Sequence, residues 1–299
     1  MIEQLERAAV GRPITREGIS LFPVFVHQDD TKVLTGDQAD IVVTEKDDAE
    51  VPTLRVTNPH DLPVLIAEGE TLNGGRQNRV VNVSVLVSAG ATIDIPVSCV
   101  EAGRWGSERA FERRNPKAPR RVRRGMTSSV TDNLFSIGSR RSDQGQVWAS
   151  VDDELHGLGL WSPSSAAAGL VEFEQRDRKT AEAIEELVAK GPLPGQCGVV
   201  ISHGRRVVAA DIYASSSLLA AAWENLVRGY FLEVRSAGGG SPSATKVLNF
   251  LSKMSKRIVS TQAGVDRGME HRISTSKITG QALVDEGLLI HASAFALAA

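Results

Sequence analysis

The densest group of polar and charged side chains lies between two apolar segments, at residues 68–79 (EGETLNGGRQNR). Gly74 and Gly75 stand beside Arg76, Gln77, Asn78 and Arg79, with Glu68 and Glu70 upstream. Glycines let a backbone approach a ligand closely, and arginines and amides offer fixed donors to an anion. We therefore interpret this Gly-rich loop as a binding loop for an anionic or polar ligand. The alternative is a polar loop whose amides cap turns and whose arginines pair with its glutamates.

A second group, residues 96–105 (PVSCVEAGRW), comes at the end of a predicted strand. Apolar residues occupy odd positions in 79–87 and again in 93–99, and an SAGA turn joins the two segments, which predicts a hairpin. Only registers that pair odd with odd positions keep both apolar sets on one face. A loop at 88–90 places Cys99 opposite Arg79, and a loop at 89–91 places Glu101 there. In both registers Arg79, Cys99 and Glu101 share the apolar face.

Charged groups on an apolar face must be paired or must titrate abnormally. One interpretation is a buried ion pair between Arg79 and Glu101 that fixes the sheet. The other makes Glu101, with Glu70, a catalytic acid or base, and adds Cys99, Arg104 and Trp105 to the ligand-binding residues of the loop. We expect Cys99 to be a small core residue more than a nucleophile, because no electropositive helix start or adjacent histidine is evident.

Other chemistry leaves little trace in the sequence. The six histidines form no HxH or HExxH pattern, and no GxSxG, GxGxxG or P-loop motif occurs, so we expect no metal site. Residues 104–124 carry nine Lys or Arg and two prolines, which predicts an exposed connection or a lid over an anionic ligand. Since Glu108 and Glu112 dilute this run and the net charge is -2, we expect no nucleic-acid binding.

The elements that must position these residues indicate an α+β fold. Short β-rich segments precede residue 105, and strands and helices come in blocks without strict alternation. We expect a mainly antiparallel sheet, sandwich or barrel-like, in the N-terminal third (1–105), and helices with further antiparallel strands in 106–299, packed as one compact unit. The predicted helices span about 129–156, 163–190 with Ser162 as N-cap, 215–231 and 245–257, and the predicted later strands span 199–201, 207–209, 265–273 and 278–295.

Length and composition are those of a globular protein. The 299 residues are 41% hydrophobic and 23% charged, which is enough to bury a core. No run approaches the ~18 apolar residues of a membrane helix, and Glu3 and Glu6 stand where a signal peptide would be basic and then apolar. We therefore expect a cytoplasmic protein with no membrane partner.

The two polar groups also carry a resemblance. The Gly-Glu-x-Leu-x-Gly-x-x-Gln-Asn-Arg element at 69–79 and the Pro-Val-Ser-Cys-Val-Glu-x-Gly-Arg-Trp element at 96–105 resemble the signature of the ADP-ribosylglycohydrolase- and rhodanese-phosphatase-associated domain family, a bacterial family of unknown function. Residues 146–148 and the 198–213 hairpin are similar to later segments of that family. Gly75 and Arg76 depart from the Ala-Lys or Gly-Lys of the motif but preserve its positive charge.

The resemblance implies a role near NAD or ADP-ribose metabolism or bacterial conflict systems, and supplies no reaction or cofactor. We expect the chain to bind, and where it is an enzyme to process, an ADP-ribose-like, NAD-like or other phosphorylated metabolite between the loop ending at Arg79 and the strand end at Cys99–Trp105. Arg76, Arg79 and Arg104 would hold the anion. The alternative is a non-catalytic structural or regulatory module, with a protein partner or a second copy, in which the motifs form a buried polar network.

Overall fold

The structure, a computed structural model, describes residues 1–28, 31–46, 52–101, 110–113, 115–160, 177–232 and 239–297. The helices in this part of the chain are α1 (Glu3–Glu6), α2 (Arg120–Ile137), α3 (Gln144–Gly157), α4 (Arg178–Lys190), α5 (Ser216–Phe231) and α6 (Ala244–Lys256). The strands are β1 (Ala9–Val10), β2 (Ile14–Arg16), β3 (Ile19–Phe25), β4 (Val42–Thr44), β5 (Thr53–Thr57), β6 (Val64–Ile66), β7 (Thr71–Leu72), β8 (Arg79–Val81), β9 (Val85–Val87), β10 (Thr92–Cys99), β11 (Gly198–His203), β12 (Arg206–Tyr213), β13 (Ile258–Ala263), β14 (Met269–Ser274), β15 (Ile278–Asp285) and β16 (Leu288–Ala296).

A nine-stranded antiparallel sheet forms the centre of the molecule, in the order β1-β3-β11-β12-β16-β15-β14-β13, with β2 also pairing with β3. A five-stranded sheet, β4-β5-β10-β8-β7, and the β6-β9 pair lie beside it. These antiparallel sheets together with the helices confirm the α+β prediction. Strands from the first predicted region (β1 to β3) and from the second (β11 onward) share the central sheet, which joins the two regions.

Both faces of the central sheet are covered because successive residues of its inner strands are apolar on both sides. Leu21 of β3 and Ile201 of β11 belong to the core that includes α4 and α5. Their neighbours Phe22 and Val200 belong to the core that includes α1 and α6. Helix α2 packs against β14, β15 and β16, and against α3. The face of the central sheet under α2 is where polar and basic side chains are buried.

The predicted hairpin at 79–101 is only partly correct. Residues 82–84 interrupt the first strand, so that β8 pairs with β10 while β9 pairs with β6. The outer half of β10 pairs with β5 instead. Residues 79–87 are all buried, on both faces of the segment. The alternation of apolar residues therefore did not mark an exposed face, and it did not require one continuous strand. Gly90 has φ +67°, as the 88–90 loop requires.

The prediction for residues 104–156 is wrong in two respects. Helix α2 begins at Arg120, inside the run predicted to be exposed, and Arg120 and Arg123 are buried. The helix ends at Gly138, which adopts φ +66°, and α3 follows as a separate helix. The charge of Arg123 can be buried there because Glu68 and Asp211, which are distant in the sequence, pair with it.

The C-terminal elements agree better with the sequence. The β11–β12 hairpin, α5 with Ser215 as its N-cap and α6 lie within a few residues of the predicted bounds. Strand β13 was missed. The predicted helix start at Ser162 and Pro163 lies outside the described residues. The described part of this predicted helix is α4, which Gly191 follows. Among the described residues, no helix is long and apolar enough to cross a membrane.

Candidate functional site

The two sequence motifs meet where β8 begins and β10 ends. Arg79 lies directly opposite Cys99, which is the register that the 88–90 loop predicts. Pairing continues beyond the strands, because the Val100 amide donates to the Asn78 carbonyl at 3.2 Å. At the next position Gln77 Nε2 lies 3.5 Å from the Glu101 carbonyl oxygen, and the Asn78 amide donates to Glu101 Oε2 at 3.3 Å. The structure thus brings Gln77, Arg79, Cys99 and Glu101 together, as predicted.

The Arg79 guanidinium is almost completely buried, with 1% of its side chain exposed. Its Nη2 lies 3.7 Å from Glu45 Oε1, so that Glu45 is the nearby carboxylate and the interpretation of an Arg79–Glu101 ion pair is not what the described residues show. Neither Nε nor Nη1 of Arg79 has a hydrogen-bond partner within the described part of the chain. Three N–H bonds of a buried cation therefore lack an acceptor, which native proteins rarely tolerate without a bound water or ligand.

The glycines of the loop allow two chain segments to touch. Gly74 has φ +144° and Gly75 has φ +52°. A Cβ at Gly74 would lie 2.8 Å from Phe111 Cα, and one at Gly75 would lie 2.7 Å from Glu45 Oε1. The loop is also fixed from within, because Asn78 Oδ1 accepts the Gly74 amide at 3.0 Å. These glycines serve close packing, and the loop is a preformed surface.

Glu70 is already engaged on both carboxylate oxygens. Its Oε1 accepts the Ala67 amide at 2.8 Å, and its Oε2 accepts Arg113 Nη2 at 2.8 Å. Arg113 also donates to the Ala39 carbonyl at 2.9 Å. These contacts give Glu70 a structural role in holding the turn at 67–70. Its predicted catalytic role remains a prediction.

Cys99 sits in the core of the site as a protonated thiol. Its Sγ donates to the Glu101 carbonyl at 2.9 Å, and burial raises the pKa of the thiol above its ordinary value. Gln144 of α3 continues the β10 ladder, accepting from the Cys99 amide at 2.9 Å and donating to its carbonyl at 2.7 Å. These contacts agree with the interpretation of Cys99 as a core residue. Arg104 and Trp105 lie outside the described residues.

On the opposite face of the same strand ends, a cavity of about 40 Å³ opens beside Asn78 and Val100. Thr71, Asn73 and the chain at 115–119 complete its walls. The volume has room for roughly three water molecules. In this conformation it accommodates a small polar group and no larger part of a ligand.

A second polar centre, which the sequence analysis missed, lies under α2 against the central sheet. We call it the Arg123 cluster: Glu68, Lys117, Arg123, Asp211 and His291. Each of these side chains is at most 2% exposed. Glu68 precedes the Gly-rich loop, Lys117 and Arg123 come from the basic run, and Asp211 and His291 come from β12 and β16. The Arg123 cluster thus links the Gly-rich loop to the central sheet.

Arg123 is the hub of the cluster. Its Nη2 lies 2.8 Å from both Glu68 Oε2 and Asp211 Oδ1. Its Nη1 donates to Asp211 Oδ2 at 3.0 Å, and its Nε donates to Glu68 Oε1 at 3.2 Å. Ser293, paired with Asp211 across the strands, donates to Glu68 at 2.8 Å. The Tyr230 hydroxyl donates to Asp211. Every carboxylate of the cluster is therefore paired and hydrogen-bonded, as burial requires.

The buried environment sets the protonation of the cluster. Burial acts against the charged form of Asp211, but Arg123 and Lys117 outweigh it and hold the pKa of this carboxyl well below its usual range. Burial lowers the pKa of Lys117, although Asp211 at 3.4 Å from its Nζ opposes the change. Burial likewise lowers the pKa of His291, whose Nδ1 lies 2.8 Å from Ser84 Oγ. His291 is therefore neutral in the folded protein near neutral pH.

We expect stability to fall as the pH drops below about 6.5, the ordinary pKa of histidine, because the unfolded chain then binds a proton that folded His291 refuses. The loss is at most about 1.4 kcal/mol per pH unit from this group. Asp211 does not contribute to the loss of stability in this pH range, because its pKa lies well below the usual value. Urea unfolding at about pH 5 and about pH 7.5 should show a smaller loss for His291→Gln, whereas exposed His156→Gln should keep the wild-type loss. Equal losses in all three proteins would contradict the assignment.

The sequence contained a partial signal for this cluster. Arg120, Arg123, Thr127 and Thr131 recur at helical spacing, and all four are buried on the inner side of α2. Polar residues at that spacing ordinarily mark the solvent face of a helix. Nothing local marks the carboxylates at 68 and 211 as their partners.

The comparisons support the resemblance noted in the sequence. No curated protein and no solved structure matches the chain. The family model described as the ARG and Rhodanese-Phosphatase-superfamily-associated Protein domain (ARPP-1) matches residues 7–295. This match includes both motifs, the Arg123 cluster and all of the sheets. The chain therefore belongs to the ARPP-1 domain family.

Proposed function

We propose that this chain binds an ADP-ribose-like, NAD-like or other phosphorylated metabolite at the face shared by Gln77, Arg79, Cys99 and Glu101. The observation that carries the proposal is the buried Arg79 guanidinium, whose Nε and Nη1 have no partner among the described residues. Phosphate oxygens are acceptors that a guanidinium binds with strong, charge-assisted hydrogen bonds. A bound anion would supply the missing acceptors, and its charge would complement the guanidinium more closely than Glu45 does at 3.7 Å.

Neighbouring groups complete the proposed site. Gln77 Oε1 is also buried without a partner in the described part of the chain, and it would accept a hydrogen bond from a ligand hydroxyl or N–H group. Arg76 would add positive charge, and the predicted role of Arg104 falls outside the described residues. If the ligand is turned over, Glu101 would be the acid or base, because it belongs to the proposed face, whereas Glu70 holds the turn at 67–70 with both oxygens. In this proposal, Arg79 binds the anion and Glu101 transfers the proton.

The test is calorimetry with NAD, ADP-ribose, AMP and inorganic phosphate. We expect Arg79→Ala to weaken binding of the phosphorylated ligands by about tenfold to a hundredfold, the effect of losing hydrogen bonds to a charged group. Arg55→Ala is the matched control, since Arg55 lies on β5 in the same sheet, on the other side of β10 from Arg79, and pairs with Asp94 on the exposed surface. An absence of binding by wild-type protein across the panel would rule out the proposal.

The alternative function, a structural or regulatory module with a buried polar network, has its own supporting observation. Gln77, Arg79, Cys99 and Glu101 are each at most 4% exposed. If this network only stabilises the fold, Arg79→Ala and Glu101→Gln should each lower the free energy of unfolding by about 3 to 5 kcal/mol. If Arg79 instead awaits an anion, its removal from the ligand-free protein should cost less, because Arg79 makes few hydrogen bonds and a buried, poorly compensated charge is removed with it. Measuring unfolding and binding on the same variants separates the two functions.

A further inference from the structure

A second and larger cavity, of about 230 Å³, opens beside the Gly-rich loop. We call it the Phe111 pocket, after the residue that forms one wall. Its other walls include Ile41 and Arg113, and the carboxylates of Asp40 and Glu112 line it as well. A cavity of about 150 Å³ is enough to hold a benzene ring. The Phe111 pocket is therefore large enough for one planar heteroaromatic ring system.

The pocket has a fixed aromatic wall. The Phe111 ring packs on the loop, where a Cβ at Gly75 would come within 2.8 Å of its Cε2. Phe111 and Ile41 also pack on the buried core that contains Leu72. Arg113 is held by Glu70 and by the Ala39 carbonyl. These side chains are in place before any ligand arrives, and aromatic faces of this kind stack with bases.

The charges in the pocket select which part of a ligand can enter it. Asp40 and Glu112 are exposed carboxylates, and the Arg113 charge is already matched by Glu70 at 2.8 Å. Carboxylates repel a phosphate group and accept hydrogen bonds from exocyclic N–H groups. The pocket therefore suits an uncharged ring that carries N–H donors, and a phosphate must lie elsewhere.

The Phe111 pocket and Arg79 meet at Glu45. The Glu45 Oε1 atom lies 3.7 Å from Arg79 Nη2 and accepts the Arg76 amide at 3.1 Å, next to the glycine that Phe111 contacts. We propose that the Phe111 pocket takes the base of a nucleotide-like ligand whose phosphate is held by Arg79. The phosphate half of this assignment rests on the function proposed above. The base half rests on the pocket alone.

The experiment compares ADP-ribose, ribose 5-phosphate and adenosine by calorimetry on the full chain. In the wild-type protein ADP-ribose should bind about tenfold or more tightly than ribose 5-phosphate, the gain expected from stacking one base. Phe111→Ala should remove this gain without changing the affinity for ribose 5-phosphate. Asp40→Ala, a change at an exposed residue, should weaken ADP-ribose several-fold while leaving thermal unfolding unchanged. Phe135→Ala and Asp61→Ala, both at exposed positions, are the matched controls.

Each outcome decides between the two halves of the assignment. Equal affinities for ADP-ribose and ribose 5-phosphate in the wild-type protein would overturn the base pocket and leave the Arg79 site standing. Adenosine has no phosphate, so its binding should depend on Phe111 and not on Arg79. ADP-ribose binding that Phe111→Ala weakens and Arg79→Ala leaves unchanged would support the pocket and overturn the phosphate site. If none of the three ligands binds, both are wrong.

Discussion

Replacing Arg123 with methionine is expected to lower the free energy of unfolding by about 3 to 5 kcal/mol. The guanidinium supplies four hydrogen bonds to Glu68 and Asp211, and both carboxylates are fully buried. Methionine fills similar space but leaves two facing carboxylates with Lys117 as the remaining cation of the Arg123 cluster. Urea-induced unfolding, followed by tryptophan fluorescence and by circular dichroism, measures the change.

A matched control is Arg178→Met. Arg178 also pairs with a glutamate, at 2.7 Å from Glu182, but its side chain is 90% exposed. A surface pair one helical turn apart is worth about 0.5 kcal/mol or less. An Arg123→Met protein as stable as this control would contradict the buried ion cluster.

A double-mutant cycle tests whether the loss comes from uncompensated charge. Asp211→Asn alone removes a buried carboxylate that Arg123 and Lys117 require, so it should also destabilise the protein. Combined with Arg123→Met, it should cost less than the sum of the two single changes, because one cation and one anion leave together. Strict additivity would show that Arg123 and Asp211 stabilise the fold independently, against the 2.8 Å contact between them.

The part of the site that the sequence predicts is the part with local constraints. Gly90 and the parity of the apolar positions restrict the register of two neighbouring segments, and Arg79 indeed lies opposite Cys99. The partner of Arg79 could not be obtained in this way. Glu45 directly follows β4, and the strand order β4-β5-β10-β8, which no local pattern encodes, brings it close to Arg79.

The Arg123 cluster, in contrast, could not be predicted from local sequence patterns. A helix whose inner face carries arginines and threonines has the pattern of a solvent-exposed segment. Such a face can turn inward only because Glu68 and Asp211, separated from Arg123 by 55 and 88 residues, are present to pair with it. Burial of these charges is therefore a property of the tertiary structure, and the basic run was predicted to be exposed for a sound local reason.

The cluster also explains why a glycine stands between the two motif glutamates. Gly69 has φ +79°, and a Cβ there would lie 2.7 Å from Arg123 Cδ and closer still to its Nε. Its amide and carbonyl are used as well, bonded to the Val81 carbonyl and the Ala118 amide at 2.9 Å each. Gly69 therefore cannot move away from Arg123 without breaking the link between the loop and α2.

Gly69→Ala is accordingly expected to lower the free energy of unfolding by about 3 kcal/mol, the sum of a left-handed backbone and a steric clash in a packed interior. The control is Gly90→Ala, which has a similar φ of +67° but no atom within 4 Å of the added methyl group. That variant carries only the backbone cost, about 1 kcal/mol. If the two alanine variants unfold at the same urea concentration, then the Arg123 side chain yields to the added methyl group, and the close contact with Gly69 does not stabilise the fold.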